Sequence, residues 1–539
     1  MFKYLFKSKR KHYYSLFIVA IFCIILVSIF DIGQGILFMV YMNRAIGNNN
    51  YPVWALIVAG IVFAVVYYLI SLGSSFFMAK LLKVIRREIV FDSLTGLFNL
   101  PVSKFVATET SSSVTNFVTT EIDNLVNNYY SYVLSLFGLF SSIVLGLVYL
   151  STLSFYFIIP ILILMILIFS IILSTRNKIA NNYASLFGEN KLVIKMMNNI
   201  SNFFIVSKMY SYKKKLFENI ENSYEHYNKQ KFKCTLFDDV LQKVNSALSL
   251  TLFLAIYIIA MVLCIEGKLD GGEIVAVIQV CSTVMNPFFV ISLVFRAINN
   301  TKKTRTKIKE LISKDVKTDE PQIEVETISG KNINFGYNED KKVIEDLNFE
   351  IHKNDMVGII GESGAGKSTL LKIISKVYDN YQGEIDINNS TNLKEIGDSQ
   401  YYRNVKLLEQ TPVLLNASFK DNVIMNNPYD EEKFNRIIKL LRLDKTFGNL
   451  PDKYETMLGS EENNYSLGEA RRIAIARILY SEPDFMLLDE PFASLDDNNR
   501  IIIEEALMQI KDRCIIIASH QFSDEFYNSL NNIIPINKL

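Results

Sequence analysis

Cysteine and histidine are scarce in this 539-residue chain, and their scarcity excludes two kinds of chemistry. The five cysteines, Cys23, Cys234, Cys264, Cys281 and Cys514, lie far apart and none pairs into a CxxC, so neither a disulfide framework nor a zinc site is expected. Four histidines are a poor basis for a histidine-rich metal site. An excess of one charge is missing too. The 56 Lys and Arg stand against 55 Asp and Glu, which removes the general electrostatic case for nucleic-acid binding. Apolar residues are abundant instead: half the chain is hydrophobic, with 37 Phe and 28 Tyr. Soluble chains reach that fraction, so composition hints at a membrane without requiring one, and the length leaves room for more than one domain.

The absence of charge along particular stretches is more telling. Residues 13–30 are uncharged, and after Asp31 the run resumes to 43; 52–79, 244–265 and 274–295 behave alike. The stretch 125–175 carries no charge at all. At about 1.5 Å per residue it is far too long for one crossing of a ~30 Å core, so it must fold back near Ser151-Thr152. The reading is six membrane helices, at about 13–43, 52–79, 127–150, 153–175, 244–265 and 274–295, within a helical domain 1–310. The first run is too long for a cleaved signal peptide and lacks a small-residue cleavage site.

Lys and Arg gather before the first run and in 80–87, 176–233 and 296–309, whereas the stretch after the first run carries only Arg44. The positive-inside rule then puts both termini in the cytoplasm. The connections 80–123 and 176–243 are too long for structureless loops and keep apolar spacing, so they are expected to be helices running well beyond the bilayer.

A polar linker, 311–320, leads to a second domain, 321–539, in which strand and helix patterns alternate. "DMVGII" is a short buried-strand pattern, and "GESGAGKSTLLKIIS" follows at once. Gly361, Gly366, Lys367 and Ser368 fit G-x-x-x-x-G-K-[ST] between strand and helix. Glycines let successive backbone N–H groups turn towards phosphates, and the helix N-terminus adds a favourable potential. Lys367 reaches the β- and γ-phosphates, and the Ser368 hydroxyl suits Mg²⁺. Downstream, "DFMLLDE" is a buried strand delivering Asp489 and Glu490 at its C-terminal edge, the first suited to Mg²⁺ and the second to polarising an attacking water.

With these motifs in place the chain resembles the ATP-binding cassette (ABC) transporters, in particular exporter-type half-transporters with six membrane helices fused to one α/β P-loop ATPase domain. Residues Gly361, Glu362, Ser363, Gly364, Ala365, Gly366, Lys367, Ser368 and Thr369 are similar to the Walker A loop, and "FMLLDE" to Walker B. Gln410 stands at the Q-loop glutamine, which adds it to Ser368 and Asp489 as a Mg²⁺ ligand. Tyr337 in "INFGY" matches the aromatic that stacks on adenine. "ASLD", ending at Asp496, is similar to the D-loop, and His520 sits at the switch histidine beside the catalytic Glu490. The resemblance further implies a short coupling helix in each long cytoplasmic connection, near 111–117 and 209–216. It also implies a dimer that sandwiches two ATP molecules, each held by one chain's Walker loops and the other's signature loop.

The signature position reads "YSLGE" where the family pattern is LSGGQ. Ser466 and Gly468 are kept and are expected to face the γ-phosphate in trans. Glu469 replaces the glutamine, and Leu467 the first glycine. If the loop needs a positive φ at Leu467, its Cβ costs about 1–2 kcal/mol. Ser460 and Glu461 stand where Glu-Arg is usual, and the D-loop has Ala-Ser for Ser-Ala. The sequence also ends soon after "NNIIPI", without the closing elements of many relatives.

The function implied is ATP- and Mg²⁺-dependent export of a hydrophobic or amphipathic substrate, a bacteriocin-like peptide being favoured over a lipid or a drug. The partners implied are membrane lipid, that substrate and a second half-transporter. A homodimer is favoured over a heterodimer with one impaired ATP site, because every other catalytic position is filled and homo-oligomers are the commoner assembly. A non-transporting ATP-gated regulator is opposed by Glu490 and His520, and an importer by the lack of a substrate-capturing domain. No N-terminal peptidase domain is expected. Asp31, Gln34, Gln279 and Asn286 are candidate cavity groups, with hydrogen bonding to a neighbouring helix as the alternative role. The compact fused build without a targeting sequence points to a bacterial plasma membrane.

Overall fold

The computed structural model describes residues 11–312, 323–338, 341–459, 465–493 and 495–538. The basic start, the linker beyond Ile312, Ser460, Glu461 and the D-loop Ser494 lie outside the described residues. Two compact units emerge, Met1–Phe98 with Ser111–Lys314, and Asn99–Thr110 with Asp315–Leu539.

The first unit is helical. Its long helices are α1 (Lys11–Ile46), α2 (Val53–Phe98), α4 (Ser131–Leu153), α5 (Ile158–Met209), α6 (Lys213–Ile265) and α7 (Gly271–Asn300). Helix α3 (Val102–Thr108) belongs to the other unit. Among the described residues, five helical stretches are long and apolar enough to cross a membrane: Tyr14–Ile46, Val53–Phe98, Ser113–Leu153, Phe155–Ile194 and Lys213–Ile265. The sixth expected span falls on α7, which packs against α1, α4 and α6. A capping box starts it, with the Asp270 N–H donating to Glu273 Oε2 at 2.8 Å. Leu150, Ile161, Ile168, Ile256, Ala260 and Val280 lie in its core cluster. The charge-free stretch does fold back: α4 ends at Leu153, and Ser154 caps a single 3₁₀ turn, Phe155–Phe157, before α5.

Helices α2, α5 and α6 have 46, 52 and 53 residues. At about 1.5 Å per residue each is on the order of 70–80 Å long, more than twice a ~30 Å hydrocarbon core. The first docking helix, expected at 111–117, is displaced. Ser111–Asn116 is helical but lies in the membrane-type unit, whereas the segment that joins the second unit is Asn99–Thr110 with α3. Pro101 explains the start of α3, since proline's fixed φ suits a helix entrance. Of the helix expected at 209–216, residues 213–216 are helical as the first turn of α6, and a turn precedes them. Tyr210–Tyr212 separates α5 from α6, Ser211 has φ +51°, and Met209 and Tyr210 are exposed.

The second unit holds two sheets. An antiparallel sheet has the order β2-β1-β4-β5, from β1 (Thr327–Asn338), β2 (Lys341–His352), β4 (Gln382–Ile387) and β5 (Thr391–Asn392). The other is parallel throughout, in the order β6-β7-β8-β3-β9, from β3 (Met356–Ile360), β6 (Val405–Leu408), β7 (Phe485–Asp489), β8 (Cys514–Ala518) and β9 (Asn532–Pro535). All residues of β7 and β8 are buried, which is why both read as unbroken apolar runs. Helix α8 (Lys302–Ile312) closes the first unit, and α9 (Lys367–Ile374), α10 (Asp398–Asn404), α11 (Leu467–Ser481) and α12 (Asp497–Met508) serve the second. The α/β and all-helical architectures are those the sequence implies.

Candidate functional site

In a parallel sheet, chemistry gathers beyond the C-terminal strand ends, and the strand order here makes that edge dense. Gly361 follows β3, Gln410 lies two residues after β6, Glu490 follows β7, and His520 lies two residues after β8. The register pairs Leu408 with Leu488, and Asp489 with Ala518, so these loops emerge side by side.

The loop after β3 turns into α9 through Gly364 and Gly366, at φ +82° and +105°. At Gly366 an added Cβ would also lie 3.1 Å from the Val343 carbonyl oxygen, so geometry and space both demand glycine. Lys367 is buried, and its ammonium donates to the carbonyls of Gly361 and Glu362 at 2.8 and 3.0 Å. It therefore sits folded over the loop that begins at Gly361. Glu362, Ser363 and Gly364 are exposed along that loop, and Ala365 is buried beneath it. The Tyr337 hydroxyl is 2.8 Å from Thr369 Oγ1, while the residue stays 58% exposed, which leaves ring surface for a base. Tyr378 meets Tyr337 edge-on at 5.9 Å.

The Ser368 hydroxyl donates to Asp489 Oδ1 at 2.7 Å. Asp489 is only 3% exposed, and burial raises its pKa above the usual carboxylate range against the opposing pull of the Ser368 bond. Two hard oxygen donors sharing one point fit a divalent cation, so the residues present suit Mg²⁺. Glu490 has φ +47°, a conformation that strains a residue with a Cβ. Its N–H donates to the Ala518 carbonyl at 2.8 Å, and both carboxylate oxygens lie 3.0 Å from His520 Nδ1. The strained turn thus aims Glu490 at the histidine on the next strand.

The signature segment is regular. Ser466 is the N-cap of α11 and Leu467 its first helical residue; the φ of Leu467 is not positive, and the residue is 46% exposed. The expected backbone penalty at Leu467 does not arise, because the helix starts there with ordinary dihedrals and the side chain points outward. Gly468 is the tight position: a Cβ would lie 3.1 Å from Asn499 Nδ2 and 3.3 Å from Leu495 Cδ2. Asp496 caps α12, accepting from the N–H and side chain of Asn499.

Arg471 escaped the sequence reading, which took the segment's second half as a basic helix with apolar spacing. It is 2% exposed and donates to the carbonyl oxygens of Gln410, at 2.8 Å, and of Ala493. One guanidinium therefore ties the segments after β6 and β7 to α11. Burial lowers its pKa, partly offset by the Glu490 charge. The available signal was a pair of arginines inside an otherwise apolar stretch, which a solvated face would not need.

In the helical unit, Asp31 accepts from the Tyr67 hydroxyl at 3.0 Å, joining α1 to α2. Gln279 donates to Gln34 at 3.1 Å, joining α7 to α1. Asn286 is exposed on α7. Three of the four candidate cavity groups thus make interhelical hydrogen bonds.

The family description "ABC transporter" matches residues 344–493, and "ABC transporter transmembrane region" matches 17–288. The chain belongs to the ABC transporter family. It is an integral membrane protein carrying that family's ATP-binding ATPase domain. A "Probable ABC transporter ATP-binding/permease protein" of Haemophilus influenzae is 25% identical over 492 residues, 87% of this chain and 85% of that protein. The "Toxin RTX-I translocation ATP-binding protein" of Actinobacillus pleuropneumoniae is 29% identical over 290 residues, 52% of this chain and 40% of that one. Against other curated relatives the chain spans 18% to 54% of their length. Its fold is that of a bacterial Atm1-family ABC exporter solved with ATP bound, at a TM-score of 0.81 and 17% identity over 97% of this chain and 94% of that one.

Proposed function

We propose that the chain is one half of an ATP-driven exporter that works as a dimer and moves a hydrophobic or amphipathic substrate, most simply a peptide. The observation that carries this reading is the pairing of Ser368 with Asp489 and of Glu490 with His520 on neighbouring strand ends. Tyr337 stacks the adenine, Lys367 leaves the carbonyls of Gly361 and Glu362 for the phosphates, and the loop N–H groups of 362–369 surround them. Ser368, Asp489 and Gln410 are the groups that would hold Mg²⁺, which supplies positive charge to the phosphate oxygens when bound. Glu490 orients and deprotonates the attacking water, and His520 holds that carboxylate in place. Ser466, Gly468 and Glu469 face the nucleotide of the second chain, next to Asp496. ATP must favour the closed pair over the open one for the membrane helices to respond at all.

The membrane is a bacterial plasma membrane, with both termini on the cytoplasmic side, as the distribution of Lys and Arg supports. The ordinary backbone at Leu467 supports the homodimer. The toxin-translocating relative supports a peptide, whereas the multidrug relatives support a small apolar molecule.

The test is Mg²⁺-ATPase of this chain alone in lipid nanodiscs, against its own Glu490→Gln control. Turnover lost in the control supports a homodimer with a working signature. Binding of ATP without turnover above the control removes the homodimer and directs the search to a partner chain. Stimulation by amphipathic peptides, compared with lipids and apolar drugs, then separates the substrate classes.

A further inference from the structure

Helix α9 starts at the phosphate loop and ends at a residue that does not suit its backbone. Lys376 follows the helix at φ +57°, a left-handed conformation where glycine is the usual occupant and a side chain is unfavourable. The lysine is also 9% exposed, although its charged head favours water. Two unfavourable choices at one position call for a compensating contact, and there is one. The ammonium donates to the Ile396 carbonyl and pairs with Asp398 Oδ1 at 3.2 Å. Beside it the buried Tyr401 hydroxyl donates to the Ile374 carbonyl at 2.8 Å, so the segment 396–401 grips the end of α9 at three points.

Asp398 has a second oxygen. Its Oδ2 accepts the Val102 N–H at 2.8 Å, at the first turn of α3. Three residues beyond Lys376, Asp379 Oδ2 accepts the Ser103 hydroxyl at 2.6 Å. One carboxylate therefore holds the C-terminal end of the phosphate helix on one side and α3 on the other. Among the described residues before 315, Asn99–Thr110 is the stretch that belongs to the ATPase unit. In the chain it is flanked by Phe98, the last residue of α2, and by Ser111.

We propose that Lys376 and Asp398 are positioning residues that convert a shift of the phosphate helix into a shift of Asn99–Thr110, and so carry the nucleotide state towards the membrane helices. The inference rests on the exporter reading above. Neither residue is at the phosphate loop: Lys367 opens α9, and Lys376 lies two residues past its last residue, Ile374, with the eight-residue helix, about 12 Å long at 1.5 Å per residue, between them. Their removal should leave nucleotide binding intact and break its consequence. Lys376 fixes the direction of the strut, since an αL residue with a buried, paired head has little freedom to swing.

The experiment uses the full chain in nanodiscs, in a Glu490→Gln background, with hydrogen–deuterium exchange measured with and without Mg·ATP. The parent is expected to change its exchange over 99–110 and 111–130 when ATP is added. Lys376→Met and Asp398→Asn are expected to bind ATP within about twofold of the parent, which also shows that they are folded, while the ATP response over 111–130 falls severalfold. Lys376→Arg, which can still reach Asp398, should restore most of it. A full response in both Lys376→Met and Asp398→Asn would overturn the proposal, and so would a loss of ATP binding in Asp398→Asn, since the residue would then serve the nucleotide site itself. A parent that binds ATP with no exchange response anywhere in 99–130 would overturn the exporter reading and this proposal with it.

Discussion

Ser466 and Glu469 cap each other at the start of α11. The Ser466 Oγ accepts the Glu469 N–H at 3.2 Å, and Glu469 Oε2 accepts the Ser466 N–H at 2.7 Å and its hydroxyl at 3.1 Å. The stretch "SLGE" is thus a reciprocal capping box, and the acid lies where the helix dipole favours negative charge. Glu469→Gln keeps the reciprocal geometry and should change thermal stability little. Ser466→Ala removes the cap and should cost about 1 kcal/mol. ATPase turnover should follow the opposite order of concern. Glu469 holds the hydroxyl that is proposed to meet a phosphate in trans, so Glu469→Gln, with a weaker grip and one charge fewer, should raise turnover a fewfold. Unchanged turnover would mean that the hydroxyl is not limiting.

Glu490→Gln should reduce steady-state hydrolysis by about two to four orders of magnitude, the usual worth of a general base, with ATP binding retained. His520→Ala should fall less far, because it removes only the 3.0 Å contact that orients the carboxylate. Glu490 also sits at φ +47°, so its replacement by glycine should relieve backbone strain and raise the melting temperature while abolishing turnover. Single-turnover and binding measurements on the three variants separate these effects.

Asp489 carries a conflict between stability and function. Burial raises its folded-state pKa, so just above the ordinary carboxylate pKa of 3.8 the folded state holds a proton that the unfolded state has lost. Stability is therefore intact below that value and falls as pH rises through the raised pKa. Asp489→Asn removes the ionisable group. Without nucleotide it should melt higher than the parent near neutral pH, with the gap narrowing towards pH ~4, and it should lose Mg²⁺-dependent hydrolysis. Melting curves at the two pH values decide it; an equal gap at both would deny that the buried charge is the cause.

Much of this site was legible in the sequence because its chemistry is local. A phosphate loop needs its glycines and lysine within one turn between strand and helix, and "GESGAGKST" supplies them in order. "FMLLDE" likewise declares a buried strand with carboxylates at its end. The docking segment was misplaced because Ser111–Asn116 and Val102–Thr108 are both short helices in the same connection, and what distinguishes them is a pair of aspartates nearly 300 residues away. The worry over Leu467 came from reading a glycine in a motif as a glycine demanded by φ. The tight glycine is the next one, Gly468, where a Cβ would come within 3.1–3.3 Å of the Asn499 and Leu495 side chains, a proximity that no local pattern reveals.

Arg471 should be the least replaceable residue of α11. Its removal takes from the carbonyls of Gln410 and Ala493 a charged donor that is itself only 2% exposed. Arg471→Met should destabilise the ATPase unit by about 2–3 kcal/mol and lower turnover more than ATP affinity. Arg471→Lys keeps the charge but has no fork to span both carbonyls, so it should recover little. Near-complete recovery by lysine would mean that charge beside Glu490, and not the two-armed bond, is what matters.

Asp31 and Gln34 lie one helical turn apart on α1 yet hold different neighbours, Tyr67 on α2 and Gln279 on α7. A polar bond between membrane helices is worth about 0.6 kcal/mol on average and at most about 1.7, so neither pair is essential to folding. A double-mutant cycle of Gln34→Ala with Gln279→Ala should return a coupling of that size in thermal unfolding. The transport readout separates clasp from cavity. If the pairs only hold helices, Asp31→Asn and Tyr67→Phe should affect substrate-stimulated ATPase alike, because each breaks the same bond. If Asp31 also meets the substrate, Asp31→Asn should weaken the half-stimulating concentration of a cationic peptide severalfold, whereas Tyr67→Phe, which leaves the carboxylate in place, should not.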